Sequence, residues 1–108
     1  MSDLNHTFSA LAEPTRRAVV ERLRHAPQRA GDLAETLAVS RPSMSRHLKV
    51  LREAGLVEAE GLEDDARGRV YRLRPEPLRD LQAWLGEVQA FWHEQLAAFQ
   101  VHAERRRR

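Results

Sequence analysis

Between Ser40 and Gly55 the apolar residues Met44, Leu48 and Leu51 fall four and three positions apart, which places them on one face of a helix. Arg46, Lys49 and Glu53 lie off that face, with Arg41 and Ser43 on the leading turn. Ser40 is a good N-cap because its hydroxyl can accept an unpaired backbone N–H, and Pro42 is tolerable only that close to the start. Gly55 stands where a left-handed residue closes a helix, with Leu56 able to supply the accompanying hydrophobic contact. The pattern predicts one amphipathic helix over 41–54.

Upstream, Leu4, Phe8 and Leu11 recur at helical spacing, and Pro14 forces Glu13 towards an extended conformation. A first helix therefore stops near Ala12. Pro14 opens a second, where its missing N–H is harmless, and Ala18, Val19 and Leu23 point inward before Pro27. A short third helix over 31–37 buries Leu33 and Leu37. Ala38, Val39 and Ser40 then form a connection of the length found in a helix-turn-helix. Downstream the period shifts to two. Residues 56–60 and 69–73 predict strands, with Tyr71 and Leu73 on one face, joined by the charged, turn-rich stretch 61–68. A hairpin placed directly after such a helix is a wing. Pro75 and Pro77 open the last helix. In it Leu78, Leu81, Leu85, Val88, Trp92, Leu96 and Phe99 make one seam, widened by Trp84 and Phe91. The expected fold is mainly α with a small β-hairpin, ordered α-α-α-α-β-β-α: a winged helix-turn-helix with a long C-terminal helix.

Its length of 108 residues suits one small domain, which hides a smaller share of its surface than a large protein does and would gain from a shared core. The last-helix seam extends beyond what so small a core needs, so it reads mainly as a dimer interface, the alternative being packing within the chain. Residues 1–103 are expected to form the domain, and 104–108 a basic disordered tail adding nonspecific, salt-sensitive attraction. With no cysteine, disulfides, thiolate metal sites and cysteine nucleophiles are excluded. The N-terminus lacks a basic-then-apolar signal pattern, and no apolar run approaches membrane-spanning length. A cytoplasmic protein without membrane association is expected.

Net charge is only +2, but its distribution is uneven. From Pro14 to Ala54 nine basic residues face four acidic ones, a local +5, whereas 56–66 holds five acids and no base. Of the 18 basic residues only Lys49 is not arginine, which favours planar recognition of phosphate or guanine, although codon bias in a GC-rich genome would give the same excess. A helix that buries one stripe and presents Arg, Ser and Lys at its front suits the major groove of DNA. Arg41, Ser43 and Arg46 are the candidate readers on this ground, and a guanidinium can pair with guanine O6 and N7. Lys49 is a general phosphate contact or simply solvated. Arg16 and Arg17 read as surface salt bridges, and a second helix of this kind can also approach the DNA backbone.

Four strings, in order, carry a resemblance: Phe8-Ser-Ala-Leu-Ala-Glu-Pro-Thr-Arg-Arg-Ala18, Asp32-Leu-Ala-Glu35, Ser45-Arg-His-Leu-Lys-Val-Leu51 and Glu53-Ala-Gly-Leu-Val57. Together they resemble the ArsR/SmtB family of bacterial transcriptional repressors, over nearly the whole chain from Leu4 to about Phe99. The last helix, with Trp84-Leu85 and Phe91-Trp92, is similar to the metal-independent branch. The resemblance implies homodimers, joined through the first and last helices, that bind imperfect inverted repeats in double-stranded DNA. Carried over by position, Arg41, Ser43, Arg46 and His47 would read DNA, Ser40 and Ser45 would contact phosphate, and Arg67 and Arg69 on the wing would reach the backbone or minor groove. His47 lies nearer the buried edge, where a phosphate contact and a packing role are both open. The dimer interface would use Leu4, Phe8, Leu11, Leu81, Leu85, Val88, Trp92, Leu96 and Phe99. Glu63, Asp64 and Asp65 depart from the common pattern by placing acids beside the basic wing tip, where they repel phosphate.

Within that family the rival is a metal-responsive repressor. A zinc site on the last helix needs a carboxylate and His two apart and a His and Glu three apart, whereas here Glu104 follows His102 by two and Gln89, Ala90 and Phe91 precede His93. Neither a metal nor another cofactor is expected. A small-molecule inducer is not readable, since packing explains Trp84, Phe91 and Trp92 as well as a ligand groove does. Catalysis has no glycine-rich phosphate loop, nucleophile elbow or HExxH to rest on. A winged helix that binds protein instead of DNA is the remaining class, and it would not need the Arg and Ser face.

Overall fold

A computed structural model of the chain describes residues 3–61 and 69–107. The element order is α1 (Asp3–Leu11), α2 (Pro14–Leu23), β1 (Gln28–Arg29), α3 (Ala30–Thr36), α4 (Arg41–Glu53), β2 (Val57–Glu60), β3 (Val70–Leu73) and α5 (Glu76–Arg107). The chain divides into two compact units, Met1–Leu78 and Arg79–Arg108.

Within the first unit the sharpest local structure sits at helix ends. Glu13 is extended (φ −95°, ψ 129°), as a residue before proline must be, and its carboxylate accepts the backbone N–H of Arg16 at 3.0 Å to cap α2. Both helices of the helix-turn-helix end in the same motif, in which a left-handed residue lets two backbone N–H groups turn back onto the last carbonyls. After α4 that residue is Gly55 (φ 75°), with Gly55 N donating to Arg52 O at 2.9 Å and Leu56 N to Leu51 O at 2.9 Å. After α3 it is Ala38 (φ 54°), with Ala38 N donating to Glu35 O at 3.2 Å and Val39 N to Ala34 O at 2.9 Å. Alanine there carries a Cβ that the left-handed region disfavours.

Met44, Leu48 and Leu51 of α4 are fully buried, as the spacing predicts, and they meet Val19, Leu33, Leu56 and Val57 in one core. Each such side chain contributes about 1.5–3 kcal/mol of burial. On α1 the buried residues are Thr7 and Ala10, while Phe8 stays 40% exposed. The Thr7 hydroxyl donates to the Asp3 carbonyl at 3.2 Å, which satisfies the buried polar group locally.

The sheet differs from the predicted hairpin. It has three strands in the order β1-β3-β2, both pairings antiparallel. Gln28 and Arg29, between α2 and α3, pair with Tyr71 and Val70, while β2 runs from Val57 opposite Leu73 to Glu60 opposite Val70. A two-residue strand has no alternation to detect, so periodicity could not reveal it.

In the second unit α5 continues to Arg107, a correction to the disordered tail expected after Ala103. Alanine, glutamate and arginine are good helix formers, and arginines in a last turn complement the negative end of the helix dipole.

Candidate nucleic-acid interface

The buried stripe of α4 fixes which residues that helix presents to solvent. Arg41, Ser45, Arg46 and Lys49 are exposed, and Ser43 and His47 are half-buried. Ser40 caps the helix by accepting the Ser43 N–H at 3.2 Å. The Ser43 hydroxyl in turn accepts from the Arg46 guanidinium at 3.1 Å, which steadies that side chain on the outer face. The arrangement brings together a helix N-terminus, two hydroxyls and cationic side chains, which is a favourable setting for phosphate and for base edges. Arg41 reaches back towards α3, its Nη2 lying 3.6 Å from where a Cβ on Gly31 would stand.

His47, the next residue, turns towards the corner between α1 and α2. Its Nδ1 lies 3.4 Å from Nη1 of Arg16 and 3.7 Å from Oε2 of Glu13, and only 21% of its side chain is exposed. Arg16 also donates to the carbonyls of Ala10 (2.7 Å) and Ser9 (3.3 Å), and Arg17 donates to those of Leu11 (2.8 Å) and Ala12 (3.1 Å). The paired arginines thus close the carbonyl end of α1, a role beyond the surface salt bridges expected of them. Burial alone would raise the Glu13 carboxyl. The Arg16 backbone N–H, with help from His47, the Thr15 backbone and the Arg16 charge, outweighs burial and holds it below the ordinary value of 4.5. Sequence reasoning missed this junction. The signal was present, since Glu13 before a proline is a cap position and arginines just past a helix end can reach its last carbonyls.

On the wing, Arg69 is half-buried next to β3, while Arg67, Glu63, Asp64 and Asp65 lie outside the described residues. Arg72 pairs with Glu60 across the strands at 2.9 Å. Of the residues expected at a dimer interface, Leu4 and Leu11 are half-buried beside the exposed Phe8 on α1. On α5, Leu81 and Val88 are half-buried and Leu85, Trp92, Leu96 and Phe99 are exposed, Trp92 at 59% and Phe99 at 69%. His93 and His102 are exposed on α5, and His25 stands 4.0 Å from Glu21 on α2. A cleft of about 280 Å³ lined by His6, Ser9, Ala10, Val50, Glu53 and Ala54 opens between α1 and α4, just under the usual size of a ligand pocket. Among the described residues no helix is long and apolar enough to cross a membrane.

Comparison with known proteins agrees with this geometry. A helix-turn-helix domain family matches residues 11–60. The HTH-type transcriptional regulator Rv2034 of Mycobacterium tuberculosis is 43% identical over 97 residues, covering 88% of this chain and 83% of that protein. The transcriptional repressor SdpR of Bacillus subtilis is 34% identical over 84 residues, covering 76% of this chain and 88% of that protein. Among solved structures, an ArsR-like transcriptional regulator from Rhodococcus sp. RHA1 aligns with a TM-score of 0.80 at 33% identity, covering 94% of this chain and 91% of the other. A homodimeric winged helix-turn-helix DNA-binding domain from Mycobacterium bovis aligns with a TM-score of 0.63 at 26% identity, covering 84% and 81%. Members of this group are DNA-binding regulators and not enzymes. With the helix order, the buried stripe of α4 and these relatives in agreement, the chain belongs to the ArsR family of winged helix-turn-helix transcriptional regulators.

Proposed function

We propose that this chain is a homodimeric repressor that inserts α4 of each copy into successive major grooves, about 34–36 Å apart, on an inverted-repeat operator. One observation carries the reading. Met44, Leu48 and Leu51 anchor α4 in the core while Arg41, Ser45, Arg46 and Lys49 are exposed beside a half-buried Ser43. Ser40 and Ser45 hold phosphate, Arg41, Ser43 and Arg46 face base edges, and Lys49 adds attraction along the backbone. Arg67 and Arg69 carry the wing to the neighbouring backbone or minor groove. The apolar residues of α1 and α5, from Leu4, Phe8 and Leu11 to Leu85, Trp92, Leu96 and Phe99, meet their counterparts in a second copy. Residues 1–103 work as one DNA-binding and dimerising domain, in the cytoplasm and on the nucleoid, without a bound cofactor. The homodimeric relative and the repressor SdpR support this assignment.

Footprinting of the region upstream of the gene tests it. The expected result is a protected, pseudo-palindromic site whose affinity falls about 10³–10⁵-fold between 50 and 200 mM salt if six to ten phosphates are contacted. Absence of any selectively bound duplex, or a flat salt response, would refute the assignment.

A further inference from the structure

A polar connection from the inner margin of α4 leads to the corner between α1 and α2. Arg16 is shared three ways: it donates to two carbonyls at the end of α1, its backbone N–H is held by Glu13, and its Nη1 meets His47 Nδ1. Arg16 can only donate, so in this hydrogen bond Nδ1 is the acceptor. An imidazole used in this way is an element of the frame.

We propose that Glu13, Arg16 and His47 are positioning residues that lock α4 onto the α1–α2 corner, and that His47 acts on DNA through this lock and not by touching a base or phosphate. The inference rests on the DNA-binding reading and departs from the family-derived role of His47 as a reader. Three features of the junction support it. The His47 side chain is only 21% exposed, whereas Arg46, next to it, is on the outer face. Its ring nitrogen is already engaged by a side chain 31 positions away, so a shift of α4 breaks the contact. Glu13 stands 3.7 Å from His47 Nδ1 while its carboxylate caps α2 beside Arg16, which ties the junction to a fixed helix end.

Two conservative variants separate the roles of the two ring nitrogens. The Oδ1 of asparagine stands as many bonds from the backbone as Nδ1, and the Oε1 of glutamine as many as Nε2. His47→Asn keeps the acceptor for Arg16, and His47→Gln keeps an atom where Nε2 would meet DNA. With the footprinted operator, His47→Asn is expected within about twofold of the unaltered protein. His47→Gln is expected to bind about tenfold more weakly, by a similar factor on every single-base operator variant. Arg16→Met, which also frees the α1 carbonyls, costs His47→Gln less than it costs the unaltered protein, because the link they share is already lost. Circular dichroism melts confirm that each variant is folded before binding is compared. The opposite pattern, with His47→Gln binding normally and His47→Asn impaired, would place Nε2 on the DNA and overturn the proposal. Normal binding by both variants, or additive losses with Arg16→Met, would overturn it too. Failure of the unaltered protein to select any duplex counts against the DNA-binding reading itself and is seen before a variant is made.

Discussion

Ala38 offers a direct test of the helix-turn-helix geometry. It holds φ at 54° at the end of α3, in the same motif that Gly55 serves after α4 at φ 75°. The left-handed region costs an L-residue with a Cβ roughly 1–2 kcal/mol. Ala38 is exposed, so removing its methyl group gives up almost no packing. Glycine has more freedom to lose from the unfolded chain, which offsets about 0.4–1 kcal/mol of the relief. Ala38→Gly should therefore stabilise the fold by about 0.5–1 kcal/mol, which at this size raises Tm by about 2–8 °C. Urea and thermal unfolding followed by circular dichroism read this directly, at fixed protein concentration because the proposed dimer would make Tm depend on it. Gly55→Ala is the mirror experiment. Its new Cβ would meet Pro77 Cγ at 3.7 Å, an ordinary contact, so the loss comes from backbone strain less the same unfolded-chain offset and should be about 0.5–1 kcal/mol. A midpoint for Ala38→Gly at or below that of the unaltered protein would refute the argument.

Other perturbations reach different parts of the molecule. Glu13 is held below its ordinary value of 4.5, so its stabilising contribution is complete above that pH and disappears as pH falls through the lower folded value. Glu13→Gln should be less stable at neutral pH, and the gap should narrow on acidification below 4.5; an unchanged gap in urea titrations contradicts the capping role. Arg46→Ala should lose about 1–3 kcal/mol of operator affinity and relax selectivity at one base pair, and a footprint identical to that of the unaltered protein removes Arg46 from the readers. Leu85→Asp, in the exposed seam of α5, should give monomers in analytical ultracentrifugation, and a dimer that persists moves the interface elsewhere. Leu48→Ala, in the core under α4, should cost about 2–5 kcal/mol in unfolding experiments, and a loss under 1 kcal/mol would mean that the stripe is not packed as described.

Much of this fold could be read from the chain because strong local signals agreed with the global arrangement. Met44, Leu48 and Leu51 announced both a helix and its buried side, and Gly55 with Leu56 announced its end. The parts that escaped depend on contacts between segments far apart in sequence. Gln28 and Arg29 become a strand only because β3 runs beside them. Thr7 and Ala10 face inward on α1 because neighbouring helices decide which side is covered, and the spacing of Leu4, Phe8 and Leu11 did not show it. For the candidate site, the outward position of Arg46 followed from helical spacing, but the inward turn of His47 did not. It sits at the margin of the apolar stripe, where only the presence of Arg16 and Glu13 settles its direction.

The third strand also has a mechanical consequence. β3 is hydrogen-bonded along both flanks, and Arg29, its last partner in β1, is followed at once by Ala30, the first residue of α3. A pull on the outer end of the hairpin would be passed through that rung into the opening turn of α3. The appendage is fastened to the helices like a spar to a hull, so displacing its base would drag the helix-turn-helix along.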